Sequence, residues 1–168
     1  VIRRKTISHN QDIHATDQAV WKHITEVELS SFSHRWWLVM LGVPKPLHAE
    51  IHKSGVGGKR VASFDNGKCF SQDITVWEPY KVYDFQFHAD PGFRVGYVLD
   101  LASGPFRMVS GRYIIRESGN GVQLTLQSIY ELHGFLGLLL QLPVYLVLVG
   151  FQRYLLQGIK KNAEEEHA

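Results

Sequence analysis

The stretch GFLGLLLQLPVYLVLVGFQ, from Gly134 to Gln152, constrains this chain more than any other. So apolar a run must be covered, either by lipid or by protein. Phe135 to Phe151 is 17 residues, about 25 Å as an ideal helix and short of a roughly 30 Å hydrocarbon core. Pro143 interrupts any single helical ladder near the middle of the run. Beyond it, Val144, Val147, Leu148, Phe151, Leu155 and Ile159 continue one apolar stripe, while Gln152, Arg153, Gln157, Lys160 and Lys161 fall largely elsewhere. The spacing predicts a core helix from about Pro143 to Glu166, with Lys160 and Lys161 suiting its C-terminal dipole. Residues 135–142, with Tyr145, Leu146 and Val149, are then surplus. They are expected to form a hydrophobic mouth, so residues 135–149 are the candidate surface for peripheral membrane contact or a homodimer. A true transmembrane tail is the alternative.

The chain has 168 residues, 45% of them hydrophobic, enough for one domain, 1–168, with a sizeable core. Net charge is +2, and Arg3-Arg4-Lys5 is a short cluster of the kind found at solvated strand ends. No nucleic-acid partner is expected. One cysteine, Cys69, leaves no internal disulfide and fits a reducing compartment, with the thiol packed rather than nucleophilic. The basic start is followed by TISHNQDI rather than an apolar segment, so no signal peptide is expected. The expected location is cytoplasmic, with membrane association left open.

Loose alternation over residues 2–14 predicts a strand with Ile7, His9, Gln11 and Ile13 on one face. Thr16 is placed to cap a helix that carries Ala19, Val20, Trp21, Ile24 and Val27. A second short helix is expected over Ser31–Leu41, ended by Gly42-Val43-Pro44. Strands follow over residues 47–53, 59–65, 68–77 and 81–89, with Asn66-Gly67 as a hairpin turn. Phe93–Leu101 reads either as a strand or as a loop over the sheet. Residues 106–117 and 122–133 form two more strands. The order predicts an α+β domain: a curved antiparallel sheet of about seven strands, two short helices after the first, and a long C-terminal helix across the concave face. The gap between sheet and helix is a cavity unless large side chains fill it.

Residues 15–24, ATDQAVWKHI, resemble the START/Bet v 1-like (SRPBCC) superfamily, in which a first strand runs into such a helix start. Trp36-Trp37, LGVPKPLHAEI, GVGGKRVASFDNGKCF and the Trp77-Glu78-Pro79 turn resemble a polyketide cyclase/dehydrase-like branch of it. The resemblance implies a helix-grip fold with an internal apolar tunnel and a lipid, isoprenoid or polyketide-like cargo. It implies no shared catalytic set, and fold analogy alone does not assign an activity.

The residues themselves show no catalytic motif. Gly55-Val56-Gly57-Gly58 joins two strands and opens no helix, which excludes a nucleotide fingerprint. No Ser lies in a G-x-S-x-G elbow. His48, Glu50 and His52 share one strand face, either solvated or a polar pocket wall with Glu50 facing Arg60; no metal is assigned to them. No cofactor is expected. Arg112 is expected outward, because Val109, Tyr113 and Ile115 make the more apolar face. On the last strand Leu124, Leu126, Ser128, Tyr130 and Leu132 are expected inward, with Ser128 and Tyr130 as polar points in an apolar wall. The candidate ligand-binding residues are Trp36, Trp37, Glu50, Phe70, Tyr83, Phe85, Phe87, Tyr113, Leu126, Ser128, Tyr130, Leu148, Phe151 and Leu155. Binding of a hydrophobic small molecule is the favoured function. A cyclase or dehydratase using Tyr130, Arg112, Glu50 and His52 is the enzymatic alternative. A membrane-associated interaction domain with no ligand is a third.

Overall fold

Alternation of apolar and polar residues builds most of this chain into one sheet. A computed structural model describes residues 2–29, 37, 40–89, 92–95, 99–100 and 104–167. Its elements are β1 (Ile2–Ile13), α1 (Asp17–Thr25), β2 (Val27–Glu28), β3 (Pro46–Lys53), β4 (Lys59–Phe64), β5 (Cys69–Glu78) and β6 (Val82–Ala89). There follow β7 (Arg94–Val95), β8 (Leu99–Asp100), β9 (Phe106–Ser118), β10 (Gly121–His133), α2 (Gly134–Leu139) and α3 (Gln141–His167). Among the described residues, eight strands form an antiparallel sheet in the order β1-β10-β9-β6-β5-β4-β3-β2, and β7 pairs with β8 separately. The α+β arrangement agrees with the sequence reading. The sheet has one more strand than expected because β2, only two residues long, pairs with Ala49 and His48. The second helix expected over Ser31–Leu41 lies mainly outside the described residues.

Local chemistry sets several boundaries. Thr16 accepts a hydrogen bond from the Ala19 amide at 3.2 Å, satisfying one orphan donor of α1. Gly67 sits at φ +76°, which its missing Cβ permits, and closes the β4–β5 hairpin after Asn66.

Helix α3 lies against the concave face and is tied to both sheet edges. Lys160 Nζ donates to the Asp12 carbonyl of β1 at 3.1 Å, and Asn162 Nδ2 to the Glu28 carbonyl of β2 at 2.9 Å. The expected stripe of Val144, Val147, Leu148, Phe151, Leu155 and Ile159 is buried or half-buried. Gln152 departs from expectation: it is 2% exposed, because β1 and β10 close over its side of the helix. On length and composition alone α3 is able to cross a membrane, but 44% of its most apolar window is buried within the domain.

The sheet's β1–β10 edge carries an ion pair with a pH consequence. Arg4 donates to Glu131 Oε1 at 2.6 Å, and His133 Nε2 lies 3.1 Å from Oε2. The Arg4 hydrogen bond, with a lesser one from His133, holds the Glu131 carboxyl below its ordinary value of 4.5 against the opposing effect of burial. A carboxyl depressed in the folded state stabilises above its unfolded pKa and loses that contribution as pH falls through the folded value. Thermal denaturation at stepped pH is expected to show Glu131→Gln slightly less stable than the parent at neutral pH, the two curves converging below pH 4.5.

Candidate functional site

Seven strands and α3 contribute side chains to a cavity between the concave face of the sheet and the helix. It offers about 130 Å³ to the centres of water-sized molecules, against roughly 10–15 Å³ needed for one water. Packed interiors leave few spaces larger than a water, so this one, apolar and partly open to the surface, is the candidate site.

Its walls follow from strand parity. Arg60, Ala62 and Phe64 alternate along β4, and Phe70 and Gln72 along β5; all five line the cavity. Phe85 and Phe87 line it from β6, and Phe106, Met108 and Tyr113 from β9. The expected inward pairing of Val109 with Tyr113 is corrected by a bulge. Ile129 faces Ser110 but Tyr130 faces Met108, so Val109 is the extra residue and parity reverses there. Leu126 and Ser128 complete the wall from β10, and Val147, Leu148, Phe151, Gln152 and Leu155 from α3. Phe93, 1% exposed, packs its ring 4.7 Å from Phe70 and 5.1 Å from Phe64.

Of the candidate residues, Phe70, Phe85, Phe87, Tyr113, Leu126, Ser128, Leu148, Phe151 and Leu155 stand on the cavity wall. Tyr83 is fully buried behind it, packed on Trp77 and Phe85. Tyr130 is buried against Phe106 and is not a lining residue. Trp37 is half-buried away from the cavity, and Trp36 lies outside the described residues. Glu50 is a correction: its side chain is 70% exposed, 3.9 Å from His48, in an outer depression with Lys22 and His23. It pairs in register with Val61, whereas Arg60 is opposite Ile51, so no Glu50–Arg60 contact forms. Arg112 points outward as expected and bonds Asp84 Oδ2 at 2.6 Å. Among the described residues no group of three or more His, Cys, Asp or Glu is arranged to hold a metal.

Four buried polar residues on the wall, Arg60, Gln72, Ser128 and Gln152, fall into two clusters. In the first, Arg60 Nε donates to Gln72 Oε1 at 2.6 Å and Nη1 donates to the Ile24 carbonyl in the last turn of α1. The guanidinium lies 5.0 Å from the Tyr83 ring centroid and 5.1 Å from that of Phe85. Burial raises the pKa of the Tyr113 hydroxyl, against the charge and hydrogen bonding of Arg60. The Tyr83 hydroxyl is buried with no hydrogen-bond partner among the described residues. In the second cluster, Gln152 Nε2 donates to Ser128 Oγ at 2.9 Å and to the Ile7 carbonyl at 3.3 Å, and its Oε1 lies 2.6 Å from His9 Nδ1.

Sequence reading named Arg60 only as a partner for Glu50 on a candidate pocket wall, and missed Gln72 and Gln152. A signal existed for two of them: Arg60 occupies the same parity as Ala62 and Phe64, and Gln72 the parity of Phe70 and Ile74, and register sets the two opposite each other. Gly111 is a further hidden determinant. A Cβ there would stand 2.7 Å from the tip of the Phe85 ring, so that ring occupies space which only glycine leaves open. Gly111→Ala is expected to push Phe85 into the cavity and to cost about 1–3 kcal/mol. Chemical denaturation combined with a titration of an apolar ligand would show both effects.

No family model matches the chain, and no curated protein matches it by sequence. Solved structures match it in shape. Protein TTHA0849 from Thermus thermophilus is 15% identical with a TM-score of 0.64, covering 98% of this chain and 100% of that one. The major latex-like protein 151 from Panax ginseng is 10% identical with a TM-score of 0.57, each chain 98% covered. The di-domain ARO/CYC protein BexL, of the BE-7585A biosynthetic pathway, is 14% identical with a TM-score of 0.58; the match spans 96% of this chain and 50% of that one. At such identities the likeness concerns the fold.

Proposed function

We propose that this chain, which has the START/Bet v 1-like helix-grip fold, holds a hydrophobic small molecule of the lipid, isoprenoid or polyketide kind in its interior. The observation that carries this is a 130 Å³ cavity bounded mainly by aromatic and aliphatic side chains in the grip between sheet and α3. The solved neighbours agree in kind, since one is described as an ARO/CYC protein of a biosynthetic pathway. Cyclase or dehydratase chemistry is less favoured. Its expected groups are scattered: Arg112 and Glu50 face outward and His52 is exposed. No pair of them converges on the cavity as an acid and a base.

The same reading extends to α2 and the start of α3. Phe135, Leu136, Leu139, Leu142 and Leu146 are each more than half exposed, and Val147, Leu148 and Phe151 just beyond them line the cavity. That continuity suits a mouth pressed against a membrane, through which an apolar ligand passes without crossing water. The protein then works in the cytoplasm and visits the membrane surface. Flotation with liposomes tests this part: the parent should float, and Leu138→Asp with Leu139→Asp should not. A parent that stays at the bottom removes the membrane contact and leaves the cavity reading intact. For the cavity, titration with the uncharged fluorophore phenylnaphthylamine should give saturable enhancement at one site per chain. A linear, unsaturable response would remove the binding reading.

A further inference from the structure

Arg60 is the least expected residue in this interior. It is 3% exposed and belongs to the wall of an otherwise apolar cavity. An arginine stays charged at any pH a folded protein meets. Taking that charge out of water costs several kcal/mol unless a counter-charge is supplied. None of the ion pairs among the described residues includes it. Its acceptors, Gln72 Oε1, the Ile24 carbonyl and the Tyr113 hydroxyl, are neutral, as are the Tyr83 and Phe85 rings beside it.

Part of this is structural. The bond to Ile24 satisfies a carbonyl at the C-terminal end of α1, where positive charge is favoured. That role uses Nη1, Gln72 uses Nε, and the Tyr113 hydroxyl accepts a further hydrogen bond from the guanidinium. Gln72 and Tyr113, which flank the guanidinium, also line the cavity. Among the described residues, Arg60 is thus a cation with neutral polar neighbours and no counter-charge, beside a space walled by Phe70, Phe85 and Phe87.

We propose that Arg60 is the anchor for an anionic oxygen of the ligand, so that the natural cargo is an apolar molecule ending in a carboxylate, its tail among the aromatic side chains. This rests on the cavity reading and specifies its ligand. Charge-assisted hydrogen bonds in a dry site supply the selectivity, because an uncharged analogue leaves the cation unmatched.

The test uses the fluorescent polyene acid cis-parinaric acid and its methyl ester, which share a tail and differ in charge. The parent should bind the acid about 10- to 100-fold more tightly than the ester. Arg60→Met should remove that preference, weakening acid binding at least about ten-fold more than it weakens ester binding. Because Arg60 also holds α1, circular dichroism must first show that the variant is folded. If it is not, Arg60→Lys serves instead; it keeps the charge, loses the fork, and should retain only part of the preference. Equal binding of acid and ester by the parent overturns the assignment of Arg60 and leaves the cavity reading standing. Binding of neither by the parent overturns both.

Discussion

Ala62→Phe should weaken ligand binding by about ten-fold or more without unfolding the protein. Ala62 is a small residue on the cavity wall, between Arg60 and Phe64 on β4, opposite Phe70 on β5 and Ala49 on β3. A phenyl ring added there has one place to go, the space between the sheet and α3. It would bury apolar surface in that space, offsetting much of the strain that a larger core residue brings. The expected result is a loss of phenylnaphthylamine affinity of about ten-fold or more, with Tm changed by no more than about 5 °C. An unchanged affinity would mean that the ligand sits elsewhere.

The second large effect is on stability. Gln152 joins α3 to two neighbouring strands through Ser128, the Ile7 carbonyl and His9. Gln152→Ala leaves these groups with fewer partners in a site that is 2% exposed. Each buried polar group left unsatisfied costs about 1–3 kcal/mol. The expected total is about 3 kcal/mol, partly relieved by water entering from the cavity. For a chain of this size that lowers Tm by roughly 6–12 °C, measurable by calorimetry. Gln152→Glu should fall between parent and Ala, since it keeps the shape and the acceptor but loses the donor to Ser128 and Ile7.

What the sequence makes legible follows strict periods. β10 alternates from Val122 to Leu132 without a break, and each residue of that parity is buried. The α3 stripe is visible because an amphipathic helix repeats its apolar face. Three things are not legible. The bulge at Val109 inserts one residue and reverses the face of everything before it, so Phe106 and Met108 reach the cavity by a parity that alternation alone does not give. Glu50 faces outward because its neighbours Ala49 and Ile51 pair with the cavity-lining Ala62 and Arg60, and β3 alone does not say which of its two faces is inner. Arg60 and Gln72 carry only the weak signal of sharing parity with buried neighbours, and Gln152 carries none; hydropathy places polar residues outside, and tertiary pairing supplies their buried partners.

The central claim is that the grip between sheet and helix is a ligand site. Native mass spectrometry of the protein purified from its own host tests it most directly, with organic extraction to release whatever is bound. The account predicts a species heavier than the chain by the mass of one small molecule, which extraction removes and Ala62→Phe never acquires. A mass equal to the bare chain in repeated preparations, together with no saturable binding of an apolar probe, would contradict it.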